Sequence, residues 1–380
     1  MARKKVALLC GYLPQYRIPF VRMLSEKCHQ KGIDLKVIYG NPVKDKRLRA
    51  DQADFAPGRF VSNRFISCGK YTAIWQPALS LLRDTDLIIV EQQSKYILNY
   101  VLIAGQLLGL RKVAFFGHSR NLQAKSHRTI VEISKRWMAT LPYWWFVYSP
   151  REAKYLKQLG FSEDRVTIFY NTIDTTRLLQ WRSDISTAEI SELRRKLNLT
   201  SDNVCIYVGG MYPDKRMEFL IAACRRIRAL IPDFSMLFVG VGSDAPIVKR
   251  FCAEQSWAFY LGPLFEREKA KVYMLAKLLL MPGAVGLAIL DAFAMRVPIV
   301  TTGFRLHGPE IDYLENDHNG VMVEPATDID RYASAVAELL TNPERLAEMA
   351  ENCERSASRL TIENMANHCL DGILRALAAG

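Results

Sequence analysis

Leu278-Leu-Leu-Met-Pro-Gly-Ala-Val-Gly-Leu-Ala-Ile-Leu-Asp291 is the stretch whose reading decides the fold. Its first four residues are apolar without a period, which reads as a strand buried on both faces of a parallel sheet. Pro282 and Gly283 end the strand, and a helix follows from about 288 to 294. Strand, glycine-bearing turn and helix, in that order, make one unit of a doubly wound α/β sheet, where ligands bind outside the carboxyl ends of strands. The small residues Gly283, Ala284 and Gly286 let backbone approach a ligand closely. Unpaired N–H groups at the helix start, together with the helix dipole, favour phosphate there. Asp291, one turn into the helix, can point a carboxylate back at the turn, which suits a ribose diol. Taken alone, the stretch fits equally well a plain strand-to-helix connection with Asp291 at the surface.

The same alternation continues outward from it. Strands are predicted over 204–208 and 236–240, running into Gly209-Gly210 and Gly240-Val-Gly242. A helix over 219–230 stops at Pro232, short strands follow over 259–261 and 298–301, and 328–379 is helical. The first half repeats the pattern, with strands over 6–10, 35–39, 86–91, 112–116, 145–148 and 166–169. Its helices fall over 18–31, beginning near Pro19, and over 96–108. Residues 41–64 are polar and basic with no period and read as a loop. Residues 175–202 are charged and linker-like, with a helix over 186–197. A chain of 380 residues suits two domains. The expected division is a Rossmann-like domain over 1–185, a second over 186–360, and a C-terminal helix over 361–380 that crosses back to the first.

The net charge of +12 favours an anionic partner. Eight cysteines are spread singly, without C-x-x-C or zinc spacing, and read as free thiols of a reducing compartment. The N-terminal apolar run ends after five residues and is a first strand, not a signal sequence. The longest apolar stretch, 96–110, is interrupted by Asn99 and Gln106 and is too short to span a bilayer. These features place the protein in the cytoplasm, with membrane contact from one side only.

Basic residues concentrate in the first half. Lys44, Lys46, Arg47 and Arg49 share one loop. Lys125, His127, Arg128, Lys135 and Arg136 interleave with Ile130, Val131, Ile133, Trp137 and Met138, ahead of Trp144 and Trp145. That pattern suits an anionic membrane surface, or else a helix with a core-facing side and solvated charges. No nucleic-acid module accompanies the charge, so nucleic acid is not an expected partner. Neither half carries Gly-x-Gly-x-x-Gly after its first strand with an acidic residue beyond, which argues against a dehydrogenase.

Five further segments fall in line with the opening stretch. They are Val208-Gly-Gly-Met-Tyr-Pro-Asp-Lys215, Leu237-Phe-Val-Gly-Val-Gly242, Ala292-Phe-Ala-Met-Arg-Val-Pro-Ile-Val-Thr301, His307-Gly-Pro-Glu310 with Asn319-Gly-Val, and Asn171-Thr-Ile-Asp174. Together they resemble the retaining glycosyltransferases of family 4, the group 1 glycosyl transferases, over most of the chain. The resemblance implies a GT-B fold of two Rossmann-like domains facing across a cleft. It also implies transfer of a sugar from a UDP- or GDP-sugar to a glycan or lipid-linked acceptor, without metal or cofactor. Lys215 matches the lysine that neutralises the donor diphosphate, and Asp291 the acid that binds the ribose hydroxyls. Gly286 and Leu287 match backbone phosphate donors, with Gly209, Gly210, Gly240, Gly283, Ala284 and Val285 lining the same turns. His118 matches a histidine beside the transferred sugar, or is a structural histidine at a strand end. The stretch Gly11-Tyr-Leu-Pro-Gln-Tyr-Arg-Ile-Pro-Phe20 resembles that of bacterial polysaccharide-building members, and puts Gly11, Tyr16 and Arg17 toward the acceptor or in helix packing.

Two positions depart from the family. Its arginine beside the lysine is Gly210 here, and its first glutamate is Gly283. Arg216, Arg305 or Arg17 stands as a candidate replacement for the cation. The departures leave two alternatives open, a sugar-nucleotide epimerase on the same fold and a weak or inactive homologue.

Overall fold

Runs such as Lys4–Cys10, Leu87–Glu91 and Val204–Val208 bury almost every side chain, as parallel strands covered on both faces do. The computed structural model describes residues 3–42, 53–68, 71–119 and 136–379. The chain forms two compact units, Met1–Asp174 with Ile362–Gly380, and Thr175–Thr361.

In the first unit β1 (Lys4–Cys10), β2 (Ile33–Tyr39), β3 (Arg59–Phe60), β6 (Leu87–Glu91), β7 (Val113–Gly117), β8 (Trp144–Val147) and β9 (Val166–Ile168) form one sheet. Their order is β3-β2-β1-β6-β7-β8-β9, and the pairs are parallel. Val6, Leu8 and Cys10 face one core layer and Ala7 and Leu9 the other, the two-residue alternation of a strand. The first layer packs against α1 (Ile18–Gln30) and the C-terminal helix α12 (Ile362–Ala378). Gly372 permits that docking, since a Cβ there would meet Thr167 Oγ1 at 2.4 Å and Phe146 Cε1 at 2.6 Å. The second layer packs against α2 (Ile97–Leu107).

The second unit has β10 (Val204–Val208), β11 (Ser235–Val239), β12 (Ala258–Gly262), β13 (Leu278–Leu280), β14 (Ile299–Thr302) and β15 (Gly320–Val323). Their order is β12-β11-β10-β13-β14-β15, again with parallel pairs. The switch of direction falls between β10 and β13, so the turns after these two neighbouring strands flank one crevice.

Several elements differ from the sequence expectation. Residues 41–64 include the edge strand β3, and β4 (Arg64–Cys68) pairs antiparallel with β5 (Tyr71–Trp75) where no strand was expected. Three helices had no sequence reading: α4 (Thr176–Asp184), α7 (Ala245–Glu254) and α8 (Glu266–Leu275). Helix α4 packs on α8 in the second unit, so the boundary drawn at 185 moves to Asp174. The other two are short and mixed in composition, and their helical period is weak in ten residues. The basic loop at 44–49 and residues 125–135 lie outside the described residues. The described cysteines are free and mostly buried, and burial pushes the Cys28 thiol up to about 12.

Candidate functional site

The turns after β10, β11 and β13 are built on each other's backbones. Gly209 (φ 150°) donates its N–H to Val239 O, and Met211 N bonds Val241 O. A Cβ at Gly240 (φ 139°) would meet Gly209 O at 1.9 Å, so these two turns touch with no room for side chains. Gly210 differs. A Cβ there meets the Tyr212 ring at 2.3 Å, a side chain that is exposed and can move.

The turn after β13 leans on the short 3-10 turn Pro213–Lys215. Ala284 N bonds Asp214 O at 2.8 Å, and Lys215 Nζ donates to Ala284 O. Gly283 lies against this joint, where a Cβ would meet Asp214 O at 2.3 Å and Lys215 C at 2.5 Å. The obstruction is backbone, so no side chain at 283 fits this turn as it stands. Gly283→Ala is therefore expected to destabilise the second unit by about 1–3 kcal/mol, or a melting temperature lower by roughly 2–4 °C per kcal/mol. Gly286→Ala is the control. A Cβ there meets nothing within 4 Å, so thermal unfolding should barely change. Equal melting of the two variants would show that the 283 contact is not rigid.

His307 holds the turn from the other side. Val285 N donates to its Nδ1 at 3.0 Å, so Nε2 carries the proton and donates to Thr302 O at 2.8 Å. Past it, the N–H groups of Gly286 and Leu287 have no acceptor among the described residues and are half-buried at the helix start. The Lys215 ammonium thus sits on the same short turn as two unclaimed backbone donors, an arrangement that can hold a diphosphate.

Residues 202–342 match the family described as Glycosyl transferases group 1. The second unit carries a group 1 domain. Two curated relatives match over 174 and 179 residues. One is the GDP-mannose-dependent alpha-(1-6)-phosphatidylinositol monomannoside mannosyltransferase of Mycolicibacterium smegmatis, 27% identical over 42% of this chain. The other is the alpha-D-kanosaminyltransferase of Streptomyces kanamyceticus, 25% identical over 46% of this chain. The match spans 44% and 45% of those relatives' own length, less than half. The crystal structure of Anabaena HepE in complex with UDP superposes with a TM-score of 0.70 and 16% identity, covering 98% of this chain and 99% of that one. The fold is GT-B, with two parallel-sheet units.

Within the group 1 domain, Asp291 sits on α9 (Ala288–Ala294) and is buried. Its Oδ2 pairs with Lys269 Nζ of α8 at 2.8 Å, and its Oδ1 has no hydrogen-bond partner. Burial raises its carboxyl above the usual range, and the Lys269 ammonium pulls it back. The fully buried Tyr273 adjoins it, with its phenol also unpartnered. Lys269 and Tyr273 were not found from the sequence. No motif links them to Asp291, and only the packing of α8 beside α9 brings them there.

Of the candidate replacement cations, Arg216 is already engaged. It takes a left-handed backbone (φ 56°) and caps α6 (Met217–Leu230), and its Nη1 bonds Pro282 O, Thr302 Oγ1 and Ala326 O. Its guanidinium also lies over the Phe219 ring at 4.2 Å. Arg305 is exposed. Arg17 belongs to the first unit and is tied to Tyr148 Oη at 2.5 Å and Asn171 Oδ1 at 3.5 Å. Its Nε also reaches Tyr16 Oη at 3.4 Å.

The first unit gathers a second polar group at its strand ends. His118 follows β7, is half-exposed, and its Nδ1 lies 3.0 Å from Oε1 of the buried Glu152. The other Glu152 oxygen accepts from Tyr148 N at 2.9 Å, and the Tyr148 ring meets His118 edge-on. Arg17, Tyr148, His118 and Glu152 therefore form one connected group. Glu152, in α3 (Pro150–Gln158), escaped the sequence reading because it looks like an ordinary first-turn acid. Gly11 is closed off. It donates to Glu91 Oε2 at 3.2 Å, and a Cβ would strike Tyr96 Oη at 1.7 Å.

Proposed function

We propose that this protein transfers a sugar from a nucleotide-diphosphate sugar to a hydroxyl of a glycan or lipid-linked acceptor, with retention of configuration and without metal. The observation that supports it most is the turn at 283–287, where the Lys215 ammonium reaches Ala284 O and two backbone N–H groups stand unclaimed. As the bond from the anomeric carbon to the donor phosphate breaks, negative charge grows on the leaving oxygen. A fixed cation and fixed N–H dipoles favour that charge most at the transition state. The acceptor oxygen forms the new bond on the same face, and its proton passes to the departing phosphate. That route needs no enzyme nucleophile. Asp291 Oδ1, the unpaired buried oxygen, is proposed for the ribose hydroxyls. His118 is assigned to the sugar by family resemblance alone, with Glu152 holding its ring.

Gly283 carries no carboxylate, so recognition of the sugar hydroxyls falls to other groups of this chain. Among the described residues no cluster of His, Cys, Asp or Glu suits a metal ion. The curated relatives are named as a GDP-mannose-dependent enzyme acting on a lipid and a kanosaminyltransferase, and HepE was solved with UDP. UDP- and GDP-sugars are therefore the first donors to test.

Thermal unfolding with UDP-, GDP- and ADP-sugars tests the donor class. A ligand present at about a hundred times its Kd adds roughly 2.7 kcal/mol, which raises the midpoint measurably for the matching base. Chelator should leave both this shift and transfer unchanged. No shift with any nucleotide would overturn the donor assignment, and free sugar-nucleotide conversion without acceptor would favour the epimerase.

A further inference from the structure

Helix α2 (Ile97–Leu107) carries no charged residue, an unusual composition for a helix with one face in water. Leu98, Leu102 and Ile103 fill the core beneath it. The outer face is apolar as well: Tyr100, Val101, Leu107, Leu108 and Leu110 are exposed, from 42% to 75%. Trp137, 60% exposed, stands on the neighbouring segment. The two elements are fastened together, because Gln106 Nε2 donates to Leu141 O at 2.6 Å and Gln106 Oε1 accepts from Tyr143 N at 3.1 Å. Tyr100 and Met138 also line one small cavity. Singly exposed apolar residues need no explanation, but a contiguous set of large ones marks a contact surface.

The charge around this face narrows the occupant. Residues 92–119 contain no aspartate or glutamate, while Lys95, Arg111 and Lys112 flank the helix in the chain. Arg136, beside Trp137, is exposed. A second copy of the chain would bring the same basic segment to a two-fold interface, where like charges oppose each other. Leucines and a tryptophan at the surface, with the exposed Arg136 beside them and no acid among residues 92–119, match the apolar boundary and the anionic headgroups of a bilayer.

We infer that the outer face of α2, with Leu108, Leu110 and Trp137, seats the first unit on an anionic lipid surface. The contact is peripheral: among the described residues no helix is long and apolar enough to cross a membrane. It does not depend on sugar transfer, and vesicle binding reads it without any donor.

Flotation of the full chain with vesicles tests it, using phosphatidylcholine alone and phosphatidylcholine mixed with phosphatidylglycerol, at low salt. The protein is expected to float with the mixed vesicles and much less with the neutral ones. A Leu107→Ser, Leu108→Ser, Leu110→Ser variant should lose at least about tenfold in partitioning with its thermal unfolding unchanged, since all three side chains are already exposed. Trp137→Ala should lower partitioning in the same direction. Absence of wild-type binding to mixed vesicles, or equal binding of the triple-serine variant, would overturn the assignment. So would a wild-type dimer in sedimentation that the serine variant converts to monomer, which would give this face to a second copy.

Discussion

Lys215→Ala is expected to slow sugar transfer by about 10²–10³-fold, the loss that follows removal of one preorganised donor to a developing oxyanion. The ammonium sits on the turn that also offers the Gly286 and Leu287 N–H groups, so its charge bears directly on a diphosphate held there. The arginine of the family that the chain resembles is glycine at position 210, and Arg216 is spent on Pro282, Thr302 and Ala326. In the proposed donor role, Lys215 carries more of the leaving-group charge than it would beside an arginine. The rate under single turnover, with the donor that most raises the unfolding midpoint, is the measurement. Nucleotide-induced thermal shifts should shrink in parallel. A variant with wild-type rate and wild-type shift would remove Lys215 from the donor site.

Lys269→Met is expected to cost about 3–5 kcal/mol of stability, because it leaves the Asp291 carboxylate buried with neither oxygen partnered. At roughly 2–4 °C per kcal/mol for a unit of this size, the unfolding midpoint falls by about 6–20 °C. Lys269→Met with Asp291→Leu should recover most of the loss, since an apolar pair of similar volume replaces the ion pair. The pH dependence has a definite sign. Burial already raises the Asp291 carboxyl, and the Lys269 ammonium opposes that rise. Without the ammonium the folded chain holds the Asp291 proton to higher pH than the unfolded chain does. Its stability then falls as pH rises through that interval. The Lys269→Met deficit should shrink in acid, where the carboxyl is protonated in both states. A deficit independent of pH, or a double variant no better than the single one, would show that the pair is not a buried charge couple.

Most of the strand-and-helix order was readable from the chain. The run 278–281 and the glycines after Val208 and Val239 mark strand ends because apolar period and turn residues are local properties. The hairpin of β4 and β5 was not read, although its strands are rich in aromatic and β-branched residues. The loop read over 41–64 reaches only Arg64 of it, and residues 65–85 carried no assignment. The boundary at 185 leaves residues 176–184 with the first half, because the company of α4, α8 in the second unit, is distant in sequence.

The candidate site divides in the same way. Sequence by itself determined the α/β alternation, the glycine turns at strand ends, and which residues stand at them: Lys215, Gly283, Gly286 and Asp291. These follow from neighbours in the chain, and the order of motifs is what carries the resemblance to one family. Only the tertiary structure decided that position 283 cannot carry a side chain, that Arg216 is engaged, and that Asp291 shares its burial with Lys269 and Tyr273. The backbone that blocks Gly283 lies at residues 214 and 215, and the cation that holds Asp291 lies on a different helix. Steric exclusion and charge pairing depend on distance in space: the pairing of β10 with β13 sets their following turns side by side, and the placing of α8 by α9 sets Lys269 against Asp291.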